Sequence, residues 1–524
     1  MESENRDQSG REPPPQPQPE GQAPVIRSAG ITLAGSALGG ALVILAEFLA
    51  ARLLQVQAYG FYASGKAVAS IGEAVSVFGM PVAIFHFIPA YRQKAQTEHV
   101  MGTVYAAALL PLVVGAAFAI AAWFLAPWLA LNLFHDAQVV DFIRLLAFAV
   151  PFMAGSEILG AITRGFGHAK YYVIVKNLTP PLVFLSALGA MAHFRAQAIW
   201  IAGAVAAASL LACAVGIVAI VRIAGPALWR TSPKYGFRAL YGYAAGIMAN
   251  SVFYIVFALT GLFAVAFFLG SEAVGIYRFC LQIVLPLDMI LLAFHAAMGP
   301  IYPILSRENR IAELEEAYGT AIRWMVMLQL PIGIAIAWNR GDLLALAGPA
   351  FASGAQALMI MSVGYSLCTC FGTIAYILML SGRRTVETWN AALTTTSNIV
   401  LAIVLIPRFG LAGAAAAATF SFILLNVARI LEARHLMGLR TFRPYFLRII
   451  AISAGSGTAT FYGLELAGIA QGGDVFSVAL RIAAALAVHA AALWTLGLNA
   501  QDKGVLGSLL RSLAQRGAAR GKRP

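Results

Sequence analysis

From about Ser28 onward the chain alternates long apolar runs with short polar breaks, and the runs have the length of membrane spans rather than of strands. Fourteen of them approach the roughly 20 residues that a helix needs to cross a bilayer. Their approximate limits are 28–53, 61–88, 99–125, 139–163, 170–192 and 197–221, then 239–268, 274–303, 321–338, 352–380, 389–406 and 411–431. A last pair covers 447–468 and 476–498. Short segments of alternating polarity, the mark of a transmembrane barrel, are not the pattern.

The pattern repeats. The stretch between Ala50 and Lys94 returns in degenerate form from Phe268 to Arg310, with Gly60 on Gly275, Tyr62 on Tyr277, Glu73 on Asp288 and Arg92 on Arg307. The same offset sets Gly167 on Gly382 and Phe194 on Phe409. One offset held over so many elements predicts two homologous halves in parallel, which in membrane proteins points to transport at a site between them. The expected fold is an all-α polytopic membrane protein of about fourteen transmembrane helices: two pseudo-symmetric six-helix lobes plus a C-terminal helix pair. The expected limits are a Pro/Gln-rich disordered tail at 1–26, an N-lobe at 27–221, a linker at 222–238 and a C-lobe at 239–432. The added helix pair takes 433–499 and a basic tail 500–524. The polar start has no apolar stretch of the kind found in a cleaved signal peptide, so the first helix is expected to be retained.

Composition agrees. The chain is 60% hydrophobic and 11% charged, with mean hydropathy +0.78, too apolar for a soluble protein of 524 residues. The net charge of +13 belongs to topology. One set of loops holds Arg92, Lys94, Arg164, Lys170, Arg222, Arg230, Lys234, Arg238, Arg307, Arg310, Arg383, Arg384, Arg434, Arg440 and Arg443, and the basic tail follows on that side. The opposite loops hold little beyond Arg195, Arg340 and Arg408. The positive-inside rule then places both termini in the cytoplasm. No basic, aromatic-interleaved soluble domain exists for nucleic acid. Cys213, Cys280, Cys368 and Cys370 all lie in apolar runs and read as small buried residues, since i,i+2 positions on a helix face different ways.

Charge inside a span is costly and marks function. In the first span Ser28, Thr32, Ser36 and Glu47 share a helical face, and Gly35 and Gly39 permit close helix approach. In the second, Lys66 and Glu73 lie two turns apart on one face, as a cavity wall or a structural pair. The eighth span carries Arg278 and Gln282 one turn apart, then Pro286, which predicts a kink next to Asp288. Arg52 and Arg278 flank corresponding turns. Two guanidiniums facing one cleft bind phosphate or carboxylate bidentately, and snorkelling of Arg52 to the interface is the alternative. Glu157 sits deep in the fourth span as a partner for a cavity cation. Lys176 is a further intramembrane charge, and Arg144 and Arg481 near span ends read as snorkelling. His86, His295 and His489 have no metal-ligand spacing, and no phosphate-cradling loop is present.

ARLLQVQAYGFYA and FGMPVAIFHFIPAYRQK in the first half, LGSEAVGIY in the second and LIPRFGLAGAAAAAT at 405–419 resemble polysaccharide flippases of the multidrug/oligosaccharidyl-lipid/polysaccharide superfamily. The resemblance covers nearly the whole chain from about residue 28. It implies a central cavity open alternately to each side and a substrate saccharide on a polyprenyl diphosphate, moved across a bacterial cytoplasmic membrane. It also implies cavity cations for the anionic headgroup (Arg52, Lys66 and Arg278, with Gln282 beside them) and Glu47, Glu73, Asp288 and Glu157 as charge-balancing or ion-coupling carboxylates. No cofactor is expected beyond Na+ or H+ as a coupling ion, and no metal. Expected partners are the lipid-linked glycan, membrane lipids, and a polysaccharide polymerase with its export machinery. The extra helices resemble those of fourteen-helix members, where they accommodate the lipid tail. Two competitors are a multidrug and toxin exporter of the same fold and a membrane glycosyltransferase or polymerase. The latter needs a substantial outer loop, and the best candidate here holds only His135, Asp136 and Asp141.

Overall fold

The computed structural model describes residues 22–229, 231–299, 301–380, 384–439, 445–468 and 474–497. Most of the expected 1–26 tail and the whole 500–524 tail lie outside the described residues, as do Arg230, Gly382, Arg383, Arg440 and Arg443. The helices are α1 (Gln22–Val77), α2 (Met80–Gln93), α3 (Thr97–Asn132), α4 (Val139–Gly165), α5 (Ala169–Tyr172), α6 (Thr179–Phe194), α7 (Trp200–Trp229), α8 (Phe237–Leu269) and α9 (Ser271–Val284). Then come α10 (Pro286–Met298), α11 (Ile301–Arg307), α12 (Ile311–Trp338), α13 (Arg340–Ala345), α14 (Ala355–Cys370), α15 (Thr373–Leu380), α16 (Arg384–Met437), α17 (Tyr445–Leu466) and α18 (Val475–Ala492). Among the described residues there is no strand.

Ten of these helical stretches are long and apolar enough to cross a bilayer, or eleven if the bent pair α9–α10 counts as one span. That count falls short of the expected fourteen because two turns are too tight to separate helices and because α17, over the expected 447–468, is not among the stretches apolar enough to cross. The stretch Ala34–Gln93 has 60 residues and Thr385–Met437 has 53, each far longer than a ~30 Å hydrocarbon layer accommodates, and each covers two expected spans. Where the expected limits leave 54–60 between the first two spans, α1 turns at one residue, Gln55, with φ 61°. α16 does the same at Gly410.

The second span of each half is broken. In the first half the chain unwinds at Phe78 and Gly79, both with positive φ, before α2. Gly79 is required there twice over. Its φ is +68°, and a Cβ would lie 2.7 Å from the carbonyl oxygen of Ala244. In the second half Pro286 removes the N–H that would bond Gln282, and α9 and α10 meet at a 40° bend, as the sequence predicts. Within the expected linker 222–238 the helix breaks at Gly225, with φ 68°, and a short helical turn follows as far as Trp229.

The largest core joins the halves. Tyr59, Tyr62, Val274, Tyr277, Phe279 and Phe351 are all within it, and Tyr59 meets the Phe279 ring edge-on at 6.3 Å. Large apolar side chains face outward along α3, with Phe124 76% and Trp128 62% exposed. Such a surface is stable in lipid and not in water, which makes this a multi-pass membrane protein.

The final helix pair is fixed to α12. His489 is buried, with Nε2 3.1 Å from the Met327 carbonyl oxygen and Nδ1 2.9 Å from Ser456 Oγ. Arg481, expected to snorkel, instead reaches across to Asp342 at 2.5 Å.

Candidate functional site

The bend at Gln55 folds α1 back so that both arms serve one carboxylate. Glu47, 6% exposed, lies on the first arm. From the second arm Tyr59 Oη donates to Glu47 Oε2 at 2.8 Å and Tyr62 Oη to Oε1 at 3.4 Å. Arg278 of α9 completes the set from the other half, its Nη2 2.9 Å from Oε1. A carboxylate buried this deeply is tolerated because cation and hydroxyls together replace its lost hydration. On α9, Arg278 Nε and Gln282 Oε1, one turn further on, are buried without a hydrogen-bond partner among the described residues. The guanidinium therefore has a buried Nε–H, and the amide a buried oxygen, that no described residue satisfies.

Beside this cluster is a cavity of about 280 Å³ whose polar lining includes Glu47, Tyr62, Lys66, Glu73, Ser156, Lys176 and Ser209. Lys66 and Glu73 share its wall, as their seven-residue spacing predicts. Lys176 is ion-paired with Glu157 and stands 3.7 Å from Glu73. Lys66 has no such carboxylate: among the described residues it makes no ion pair within 4 Å. A cation facing a cavity with no ion pair of its own among the described residues is available to an anion.

Sequence reasoning noted Lys176 only as an intramembrane charge, yet it is the centre of the cluster. It sits on a π-helical turn, Val173–Leu178. The signal was present in Pro180 and Pro181, which cannot donate to the carbonyls of Lys176 and Asn177 and so loosen the turn that precedes them. Asn177 uses its side chain to donate to Ser36 Oγ at 2.9 Å. A Cβ on Gly39 would lie 2.5 Å from the Asn177 carbonyl oxygen, so that small residue lets the first arm reach the π-turn. The shared face of the first span thus splits: Glu47 meets the cavity, Ser36 the π-turn, and the Ser28 side chain lies outside what is described.

The second half has its own cavity, of about 360 Å³. Asp288 lines it and accepts a hydrogen bond from Tyr365 Oη at 3.0 Å. Glu387 and Arg429, which sequence reasoning did not single out, form a paired contact there at 3.2 and 2.7 Å. The eight residues singled out in the sequence therefore do not share one central site. Arg278, Glu47, Lys66, Glu73 and Glu157 gather around the first cavity, Asp288 lines the second, and Gln282 is buried beside Arg278. The expectation that Arg52 and Arg278 face one cleft is corrected. Arg278 turns to Glu47, while Arg52 is exposed and has no ion pair among the described residues.

Elsewhere Asp136 accepts from the Gln138 amide at 2.9 Å, a turn contact in the loop considered for an enzyme. Among the described residues no group of three His, Cys, Asp or Glu side chains is arranged to hold a metal ion.

A family model described as polysaccharide biosynthesis protein matches residues 49–347, more than half of the chain. An uncharacterized membrane protein of Methanocaldococcus jannaschii is 26% identical over 203 residues, an alignment that spans only 38% of each chain. Among solved structures, the lipid II flippase MurJ in an inward closed conformation is similar with TM-score 0.65 and 15% identity, over 88% of this chain and 97% of that one. An inward-facing multidrug resistance MATE transporter of the MOP superfamily gives TM-score 0.65 and 14% identity over 75% and 94%. A MOP superfamily transporter from Pyrococcus furiosus gives 0.56 and 13% over 78% and 95%. At these identities the likeness establishes the fold.

Proposed function

The chain belongs to the polysaccharide biosynthesis protein family, and from that premise we propose that it is a flippase for a saccharide carried on polyprenyl diphosphate. It moves a cell-surface polysaccharide precursor across the cytoplasmic membrane by alternating access, with both termini cytoplasmic. It acts as a transporter rather than an enzyme. A polymerase and export machinery then take the product onward.

The observation that supports this reading is the cross-half pair Glu47–Arg278 beside the unpaired Lys66. In the closed arrangement Arg278 is neutralised by a carboxylate of the opposite half. When the halves part, the guanidinium loses Glu47 and meets the diphosphate, whose oxygens accept its fork of donors. Lys66 supplies the second positive charge. Glu47 in turn is relieved of its ion pair and takes up H+ or Na+, which couples the cycle to an ion gradient. Glu73 and Glu157 hold Lys176 and keep the cavity near neutrality, and Asp288 offers a second coupling carboxylate in the other half.

One competing reading has a specific observation behind it. The MATE transporter gives the same TM-score over a smaller share of this chain, and the second cavity carries Asp288 without a cation in ion-pair range among the described residues. An ion-coupled exporter of organic cations would use that carboxylate.

The deciding experiment reconstitutes the protein with a polyprenyl-diphosphate oligosaccharide and follows its appearance on the opposite leaflet, with organic-cation uptake measured in parallel. Glycan-lipid movement that falls in Arg278→Ala and Lys66→Ala supports the flippase. Cation uptake without lipid movement overturns it in favour of the exporter.

A further inference from the structure

The seam between the two halves is chemically different on its two sides. One side carries the Glu47–Arg278 pair. The positions that the repeat matches to those residues are Leu262 and Ala63, both buried and apolar. On the second side the halves leave a cleft of about 650 Å³ between α8 and the second arm of α1, touched by Ile403 of α16. Its wall on α8 is a single stripe that includes Val252, Leu259 and Phe263, and on α1 it is formed by Ile71 and Val75 with Ala74. The one hydroxyl among its described lining residues, Thr260 Oγ1, donates to the Val256 carbonyl at 2.6 Å. Among the described residues no free polar group faces the cleft, so its described walls offer a saccharide no hydrogen bond.

We propose that this cleft seats the polyprenyl chain of the translocated lipid, an inference that rests on the flippase reading above. Length selects this occupant over an ordinary acyl chain. The lining residues on α8 run from Met248 to Phe268, about 30 Å at ~1.5 Å per residue, the full depth of the hydrocarbon layer. A phospholipid acyl chain belongs to one leaflet and covers about half of that depth. The groove beside the final helix pair is shorter, since its described lining on α12 runs only from Leu330 to Trp338, about 12 Å. Position supports the same occupant. The arm of α1 that carries Ile71 and Val75 also carries Lys66 and Glu73, so one helix walls the polar cavity and the apolar cleft. An amphipathic lipid straddling that arm has its headgroup and its chain each in a matching environment. The carrier chain thus stays in hydrocarbon surroundings through the cycle while only the headgroup changes sides.

The test uses the full chain in phospholipid vesicles and a polyprenyl diphosphate without sugar, bearing a photoactivatable diazirine midway along its chain. Labelling mapped by mass spectrometry is expected on 248–268 and 71–75, displaced by unlabelled polyprenyl diphosphate and not by added phospholipid. Leu259→Trp, which fills the cleft, is expected to lower labelling about tenfold. Leu112→Trp on the exposed face of α3 is expected to leave it unchanged. Should Leu259→Trp not insert, Leu259→Ala serves instead, with labelling retained but shifted toward its neighbours. Displacement by phospholipid, or label concentrated on α17 and α18, overturns the proposal. Saturable labelling without transbilayer movement of the glycan lipid leaves the chain seat standing and removes the flippase reading. Movement without labelling of the cleft does the reverse.

Discussion

Gly60 and Gly275, matched by the 215-residue repeat, pack directly against each other. A Cβ on Gly275 would lie 3.0 Å from Gly60 Cα and 2.8 Å from the Val56 carbonyl oxygen. One on Gly60 would lie 2.1 Å from the carbonyl oxygen of Ser271. Equivalent residues touch only where the local two-fold axis passes, so this contact marks the axis that relates the halves and the point where α1 and α9 cross.

Gly275→Ala and Gly60→Ala are therefore expected to push the halves apart, at a cost of about 1–3 kcal/mol each. Thermal unfolding in detergent should record a lower Tm for both. Gly242→Ala is the control, because a Cβ there meets nothing within 4 Å, and its Tm should hold or rise slightly.

Glu47→Gln leaves the buried Arg278 without its counter-charge. The expected loss is about 3–5 kcal/mol, much of it recovered when Arg278→Gln is added, because the second change removes the stranded charge. A double-mutant cycle on Tm measures this directly. Additive losses would show that the two side chains do not interact.

Lys176→Met removes the cation that Glu73 and Glu157 share. Stability is expected to fall by about 1–3 kcal/mol, and Glu73→Gln should cost less than Glu157→Gln, because Glu73 is the more distant partner. Comparing the three variants by thermal unfolding ranks them, and an equal loss for both carboxylates would contradict the geometry.

The final helix pair should detach before the rest unfolds in His489→Ala, which loses contacts to Ser456 and Met327. Limited proteolysis between 466 and 475 is the measurement. Cleavage faster than in the wild type is expected, with α12 itself still protected.

Much of this was legible along the chain. Apolar runs of membrane length require helices, because lipid offers backbone groups no other partner, and the repeat requires two like halves. Pro286 announced its bend through the one donor that proline lacks. The cavity charges Glu47, Lys66, Glu73 and Glu157 were legible too, since an ionisable group in an apolar run stands out by its cost.

What the sequence did not contain was who meets whom. A helix presents its side chains by spacing, but a single-residue bend at Gln55 decides that Tyr59 and Tyr62 turn back upon Glu47, and nothing in the local pattern fixes that angle. Arg278 and Arg52 looked alike because both lie near the same membrane face, flanking corresponding turns of the two halves. Only the packing of α9 against α1 gave one a carboxylate and left the other exposed. The same is true of Lys176 and of the Glu387–Arg429 pair, whose partners lie far away in the chain. Periodicity and hydropathy are local and therefore written in the sequence. Ion pairs and cavities between helices depend on long-range packing, and for them the tertiary structure decides.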